Sequence, residues 1–279
     1  MKNFRTPVKG TQLLLGALLA IALFGISACS SPKVQAQDSP AEPLPKPDSI
    51  VHIKVRAIGD LMCHSPQFKN AKVGTDTFDF RPCFAPVKSY LESADFTIGN
   101  IETVFAGAKS RYTGYPMFNT PVDYLDAIKE AGFDFLTTAN NHSLDRHQDG
   151  TFKTLNVLDE YGFGHTGTYS SQEDRDSIRI VDVDGVSMAL LNYTYGTNGM
   201  PVPDDKPWII NLIDTALIKQ DVRAARALEP DLVVVLFHWG LEYKHEPCKD
   251  QRIAFDAAVE SGADLILGGH PHVIEPIEY

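Results

Sequence analysis

Five apolar segments of this chain each run into polar, ligand-type residues, and that recurrence constrains the fold more than any other feature. Ile53 to Ile58 leads into Gly59-Asp60. Phe96-Thr-Ile-Gly-Asn100 stops at Asn100 and Glu102. Phe133 to Thr138 ends at Ala139-Asn-Asn-His142. Asp231 to Phe237, the most apolar run, delivers His238. Leu265 to Gly269 delivers His270 and His272. Short apolar runs bounded by glycine and polar residues read as strands. Helical stretches separate them: Ala85 to Ala94, Thr120 to about Ala131, Thr151 to Tyr161, Thr215 to Leu228 and Cys248 to Ser261. Thr120-Pro121-Val-Asp123 has the signature of a helix start, with an N-cap, a proline at the first position and an acid at the third. Ile178 to Asn192 reads as two strands joined by a hairpin at Asp184-Gly185. The pattern predicts an α/β fold. In such folds the site lies outside the carboxyl ends of the strands, where all five groups fall.

The last group is the most suggestive. His270 and His272 are two apart, so an extended backbone puts both imidazoles on one side. Pro271 biases His270 away from helix. The pair reads as metal ligands; a polar turn after a core strand is the plainer alternative. Asp, Glu, Asn and His together suit Mn, Fe, Zn or Mg rather than a soft thiolate site. A carboxylate between two ions can bridge them, and such a centre supports hydrolysis of a phosphoester or carbonyl compound.

The chain has 279 residues, enough for a substantial core, and a formal net charge of −11. An acidic balance of this size argues against nucleic acid as a partner. An anionic substrate would need a local source of positive charge, which a metal centre could supply. Residues 1–28 read as a signal peptide: a basic start, an apolar stretch from Leu13 to Ile26, then Ile26-Ser-Ala-Cys29. That ending resembles a bacterial lipobox, which implies lipidation at Cys29. Residues 29–50 are rich in Pro, Ala, Gln and Ser and read as a flexible tether. The alternative is an uncleaved N-terminal anchor helix, and both readings put the domain at 51–279 outside the cytoplasmic membrane. With Cys29 lipidated, Cys63, Cys83 and Cys248 remain, so at most one disulfide forms.

The motifs Gly59-Asp60-Leu-Met62, Gly99-Asn-Ile-Glu102, Ala139-Asn-Asn-His-Ser-Leu-Asp145, His238-Trp-Gly-Leu-Glu242 and Gly269-His-Pro-His-Val273 together resemble the CapA family of poly-gamma-glutamate capsule synthesis proteins. That family belongs to the calcineurin-like metallophosphoesterase superfamily. The resemblance spans about residues 53 to 279. It implies a metallophosphatase-like β-sandwich flanked by helices in four layers, α/β/β/α, with a metal site at one end. It implies that Asp60 and His238 are metal ligands, that Asn141 binds a second metal, and that His270 and His272 give one imidazole to each metal. Glu102 stands where a bridging aspartate is usual. His142 matches the histidine that protonates the leaving group, and Asp145 either orients it or is purely structural. The cofactor would be one or two divalent ions, Mn, Fe or Zn.

One departure weakens a metal position. Superfamily members carry Asp-x-His in the first motif, and here Met62 holds the histidine place. His64 is a possible substitute that spacing does not place. Among the other histidines, His52, His147 and His245 read as solvent-facing, and His165 is either a structural turn residue or a substrate-side group. Arg111 to Pro116 reads as a loop that either packs on the domain or touches substrate, and Trp239 as a wall of the site or part of the core. Cys63 lacks the histidine and orienting partner a nucleophile needs. No glycine-rich ATP signature supports a ligase. Two functions remain: a metal-dependent hydrolase acting on a phosphoester or envelope polymer, or a non-catalytic, metal-dependent binding protein for an anionic polymer. Both place a lipoprotein in the bacterial envelope, with capsule-synthesis membrane proteins as possible partners. The chain also stops soon after its last motif, so the domain is expected to be C-terminally incomplete.

Overall fold

The computed structural model describes residues 50–279. The leader read over 1–28, Cys29, and the tether up to Ser49 lie outside the described residues. The elements, in chain order, are β1 (Val55–Leu61), α1 (Ser65–Ala71), α2 (Arg81–Phe84), α3 (Lys88–Glu92), β2 (Phe96–Ile101), α4 (Asp123–Glu130), β3 (Phe135–Thr137), α5 (His147–Tyr161), β4 (Gly164–Thr166), α6 (Gln172–Asp176), β5 (Arg179–Val183), β6 (Val186–Thr194), α7 (Thr215–Arg226), β7 (Leu232–His238), α8 (Lys249–Val259) and β8 (Leu265–Gly269).

The strands make two four-stranded sheets, in the orders β1-β2-β3-β4 and β5-β6-β7-β8. Every pairing is parallel except the β5–β6 hairpin. That hairpin turns at Asp184 and Gly185, with φ of 52° and 89°, as the sequence signal requires.

Side-chain alternation explains the layering. Along β7, Val234 and Leu236 face the other sheet, where they meet Phe96, Ile98 and Phe135. Val233, Val235 and Phe237 face the opposite way, against Ile218, Val222 and Ala225 of α7 and Ala254, Ala257 and Ala258 of α8. A strand covered on both faces is apolar throughout, which is why this run stood out in the sequence. On the far side, Leu61, Ile101 and Leu136 pack under Phe84, Leu91, Tyr124, Ile128 and Leu158 from the helices. The result is the expected α/β/β/α sandwich.

Two local expectations change. The helix read over Ala85 to Ala94 is two short helices, α2 and α3. Pro86 has no N–H to continue the ladder, so α2 stops before it. The Thr120 cap does not form: α4 begins at Asp123 without a side-chain cap. Tertiary partners take these groups instead. Thr120 pairs with the Thr103 hydroxyl at 2.7 Å, and Asp123 accepts from the Phe78 N–H at 3.1 Å. The short elements α1, β4 and α6 carry too few residues to show a period, and the sequence did not reveal them.

Candidate metal centre

Parallel strands in register end at one level. Asp60 pairs with Asn100, Asn100 with Thr137, and His238 with Gly269. The first sheet therefore brings Asp60, Asn100 and Glu102, with Asn141 and His142 just beyond β3. The second brings His238, His270 and His272. All six residues expected to bind metal, Asp60, Glu102, Asn141, His238, His270 and His272, converge at this edge.

Two groups of potential ligands form there, each with its ligand atoms within 4.8 Å of one another: Asp60, Glu102 and His238, and Glu102, His270 and His272. Glu102 is common to both. The Asp60 carboxylate lies 3.7 Å from His238 Nδ1 and 3.0 Å from His272 Nδ1. It accepts from the Asn100 amide at 2.8 Å and from the His270 N–H at 3.3 Å. His238 Nε2 faces Glu102 Oε1 at 3.7 Å and Asn141 Oδ1 at 3.0 Å. Both rings of the histidine pair join Glu102 in one group, and His272 also reaches Asp60 of the other.

The backbone route to that pair also differs from the expectation. His270 and His272 have φ of 95° and 57°, so neither is extended. β8 ends at Gly269 and the chain turns, and the rings meet across the turn with centroids 5.9 Å apart.

The electrostatics favour a cation. Burial, and then the neighbouring Asp60 charge, push the Glu102 carboxyl up to about 10. Burial raises Asp60 too, but His238 and the Asn100 amide more than offset that and hold it below the usual range. Burial drives His238 down to about 3 and lowers His270, so both rings stay neutral. Glu102 Oε1 and His270 Nδ1 are buried without a hydrogen-bond partner. A carboxylate, imidazole and amide set with orphaned lone pairs fits a borderline divalent ion.

Beside the cluster, His142 Nδ1 meets Asp145 at 2.7 Å, and both side chains are buried. Asp145 also accepts from the Phe118 N–H at 2.6 Å, and the Phe118 ring packs edge-on against His142. These contacts hold the imidazole between Asp145 and Phe118. Three more residues belong to the site: Asn100, read in the sequence as a ligand-type strand end without a stated role, and two that sequence reasoning missed. Asn100 touches Asp60, Glu102 and His238. Tyr195 lies over His270 and His238, with ring centroids 4.6 Å and 6.3 Å away. Asn198 contacts Asn141 and His142. The last two follow β6, which is parallel to β7 and ends at the same edge, a signal hidden by reading β6 only as half of a hairpin.

Other candidates resolve to structural places. His64 does not join either ligand group; it caps α1 and sets its ring edge against Phe118. His165 lies in β4, pairs with Asp159 at 3.0 Å and joins neither ligand group. His52, His147 and His245 are exposed. Gly114, in the loop read over Arg111 to Pro116, packs on the domain against Ser65. Trp239 is core, stacked on Phe237 at 4.2 Å. Cys63, Cys83 and Cys248 are free, and burial pushes the Cys63 thiol up to about 12, which keeps it inert at neutral pH.

Comparison with known proteins adds to this geometry. The family model described as bacterial capsule synthesis protein PGA_cap matches residues 54–279. The capsule biosynthesis protein CapA of Bacillus anthracis is 32% identical over 233 residues, covering 79% of this chain and 54% of that one. The PGA biosynthesis protein CapA of Bacillus subtilis is 30% identical over 199 residues, covering 70% and 52%. The chain thus spans about half the length of these relatives. Among solved structures, the NAD nucleotidase of Haemophilus influenzae aligns with a TM-score of 0.41 at 13% identity, over 71% of this chain and 36% of that one.

Proposed function

Because the chain belongs to the bacterial capsule synthesis protein family PGA_cap, we propose that it serves poly-gamma-glutamate capsule synthesis or anchoring through a divalent metal centre that hydrolyses a phosphoester. The observation that carries this reading is Glu102, buried, orphaned at one oxygen and shared by two ligand groups. Asp60, Glu102, Asn141, His238, His270 and His272 would hold Mn, Fe or Zn. Such an ion supplies Lewis acidity to a phosphoryl oxygen and offsets the negative charge that this acidic chain would otherwise present to an anion. His142, held by Asp145, moves a proton at Nε2, the ring nitrogen that Asp145 leaves free. Tyr195 lies over the rings of His270 and His238. Cys29 anchors the domain outside the cytoplasmic membrane; among the described residues no helix is long and apolar enough to cross one.

The test is hydrolysis of an aryl phosphate by the Mn-, Fe- or Zn-loaded chain. His142→Ala is expected to lower kcat about a hundredfold or more, the usual weight of a proton-transfer group, with metal content unchanged. Met62, in the place of a ligand histidine, favours a second reading: a metal-dependent binder of an anionic envelope polymer that does not turn it over. Retention of polyglutamate by the metal-loaded chain, with no hydrolysis under any of the three metals, would select that reading.

A further inference from the structure

Asn198 sits in the turn after β6 and is exposed, yet its side chain spans two parts of the site. Its Oδ1 accepts from the Asn141 amide nitrogen at 3.2 Å. Its Nδ2 faces His142 Nε2 at 3.4 Å. The other face of Asn141 presents Oδ1 to His238 Nε2 at 3.0 Å.

These contacts form one chain of donors and acceptors with a fixed sense. The Asp145 carboxylate only accepts, so His142 turns its Nδ1–H toward it. In the neutral ring Nε2 is then an acceptor, and it calls for the NH₂ side of Asn198. That leaves the Asn198 oxygen for Asn141, which must answer with its own NH₂. The Asn141 oxygen is thereby aimed at the cluster. An asparagine amide with no such partner could turn over and present two N–H donors where a ligand oxygen is needed.

We propose that Asn198 is a positioning residue that fixes the amide of Asn141 with its oxygen toward the metal. This rests on the metal reading given above. The expected scale follows from other metal sites, where partners that orient a ligand are worth about ten- to a hundredfold in affinity.

The turn itself offers a competing reason for this residue. Asn198 and Gly199 have φ of 50° and 77°, and the Met200 N–H closes the turn on the Thr197 carbonyl. Asparagine tolerates such a backbone well. The variants must therefore keep the turn while changing the amide. Asn198→Gly retains the backbone freedom and removes both contacts. Asn198→Asp retains the turn and an oxygen that can accept from Asn141.

The experiment is titration of the full, metal-stripped chain with Mn(II) by calorimetry, with thermal unfolding of the metal-free forms alongside. Asn198→Gly is expected to weaken Mn(II) binding about tenfold or more with the metal-free melting temperature kept. Asn198→Asp is expected to recover most of that affinity. Mn(II) binding as tight in Asn198→Gly as in the parent overturns the inference and leaves only the turn. A loss in Asn198→Gly that Asn198→Asp does not recover overturns it as well. A parent chain that takes up no Mn(II) overturns this inference together with the metal reading, and is told apart by the parent trace alone.

Discussion

A carboxyl group buried beside another carboxylate must either keep its proton or face a cation. Glu102 is in that position, pushed up to about 10 from an ordinary 4.5. Without metal, the folded chain holds this proton across that interval while the unfolded chain releases it. The unfolded state therefore binds fewer protons, and stability falls as pH rises from 4.5 toward 10. His238 works in the opposite sense at lower pH: its folded value near 3 lies below 6.5, so its contribution is complete above 6.5 and lost as pH falls through that range. Above pH 6.5 Glu102 is left alone. Metal-free parent should then lose up to about 1.4 kcal/mol per pH unit between pH 6.5 and about 9, and Glu102→Gln should flatten that slope. Urea unfolding in chelator measures this, and parallel pH curves for the two proteins would refute it. At this scale the sequence was informative for chemically distinctive residues. Asp60, Glu102 and the three histidines were legible because few other side chains suit a metal, and Asn141 was placed by the family motif. Asn198 was not legible, since an amide in a turn has many ordinary uses.

β2 delivers Asn100 and Glu102, and its own placement depends on Gly99. A Cβ there would lie 2.7 Å from Leu61 Cδ1 and 2.8 Å from the Phe133 ring. Gly99→Ala is expected to cost about 1–3 kcal/mol through overpacking and to weaken metal binding as β2 shifts. A urea midpoint and metal affinity equal to the parent's would contradict this. The strands that end at the site were legible because burial on both faces leaves an apolar run, as in β7. The path beyond a strand was less so. His270 and His272 converge through a turn with positive φ, where two-residue spacing predicts an extended pair. β4, with three residues, pairs along β3 and is held by tertiary packing rather than by a local pattern.

The two sheets meet at the site: Asp60 and Glu102 come from one, His238, His270 and His272 from the other. A cation there would tie the sheets together at one end, while Phe96, Ile98, Val234 and Leu236 close the layer between them. The alternation of strands and helices made an α/β fold legible, whereas the α/β/β/α layering came from the family resemblance, because a local pattern does not say how strands divide between sheets. The distances among the ligand groups were not legible, since they depend on how the two sheets face one another. The most direct test of the centre is the metal content of the purified chain after equilibration with Mn, Fe or Zn, set against the His270→Ala/His272→Ala variant. The account predicts a stoichiometric divalent ion in the parent and its loss from the variant. A parent that holds no metal, or a variant that holds as much as the parent, would contradict it.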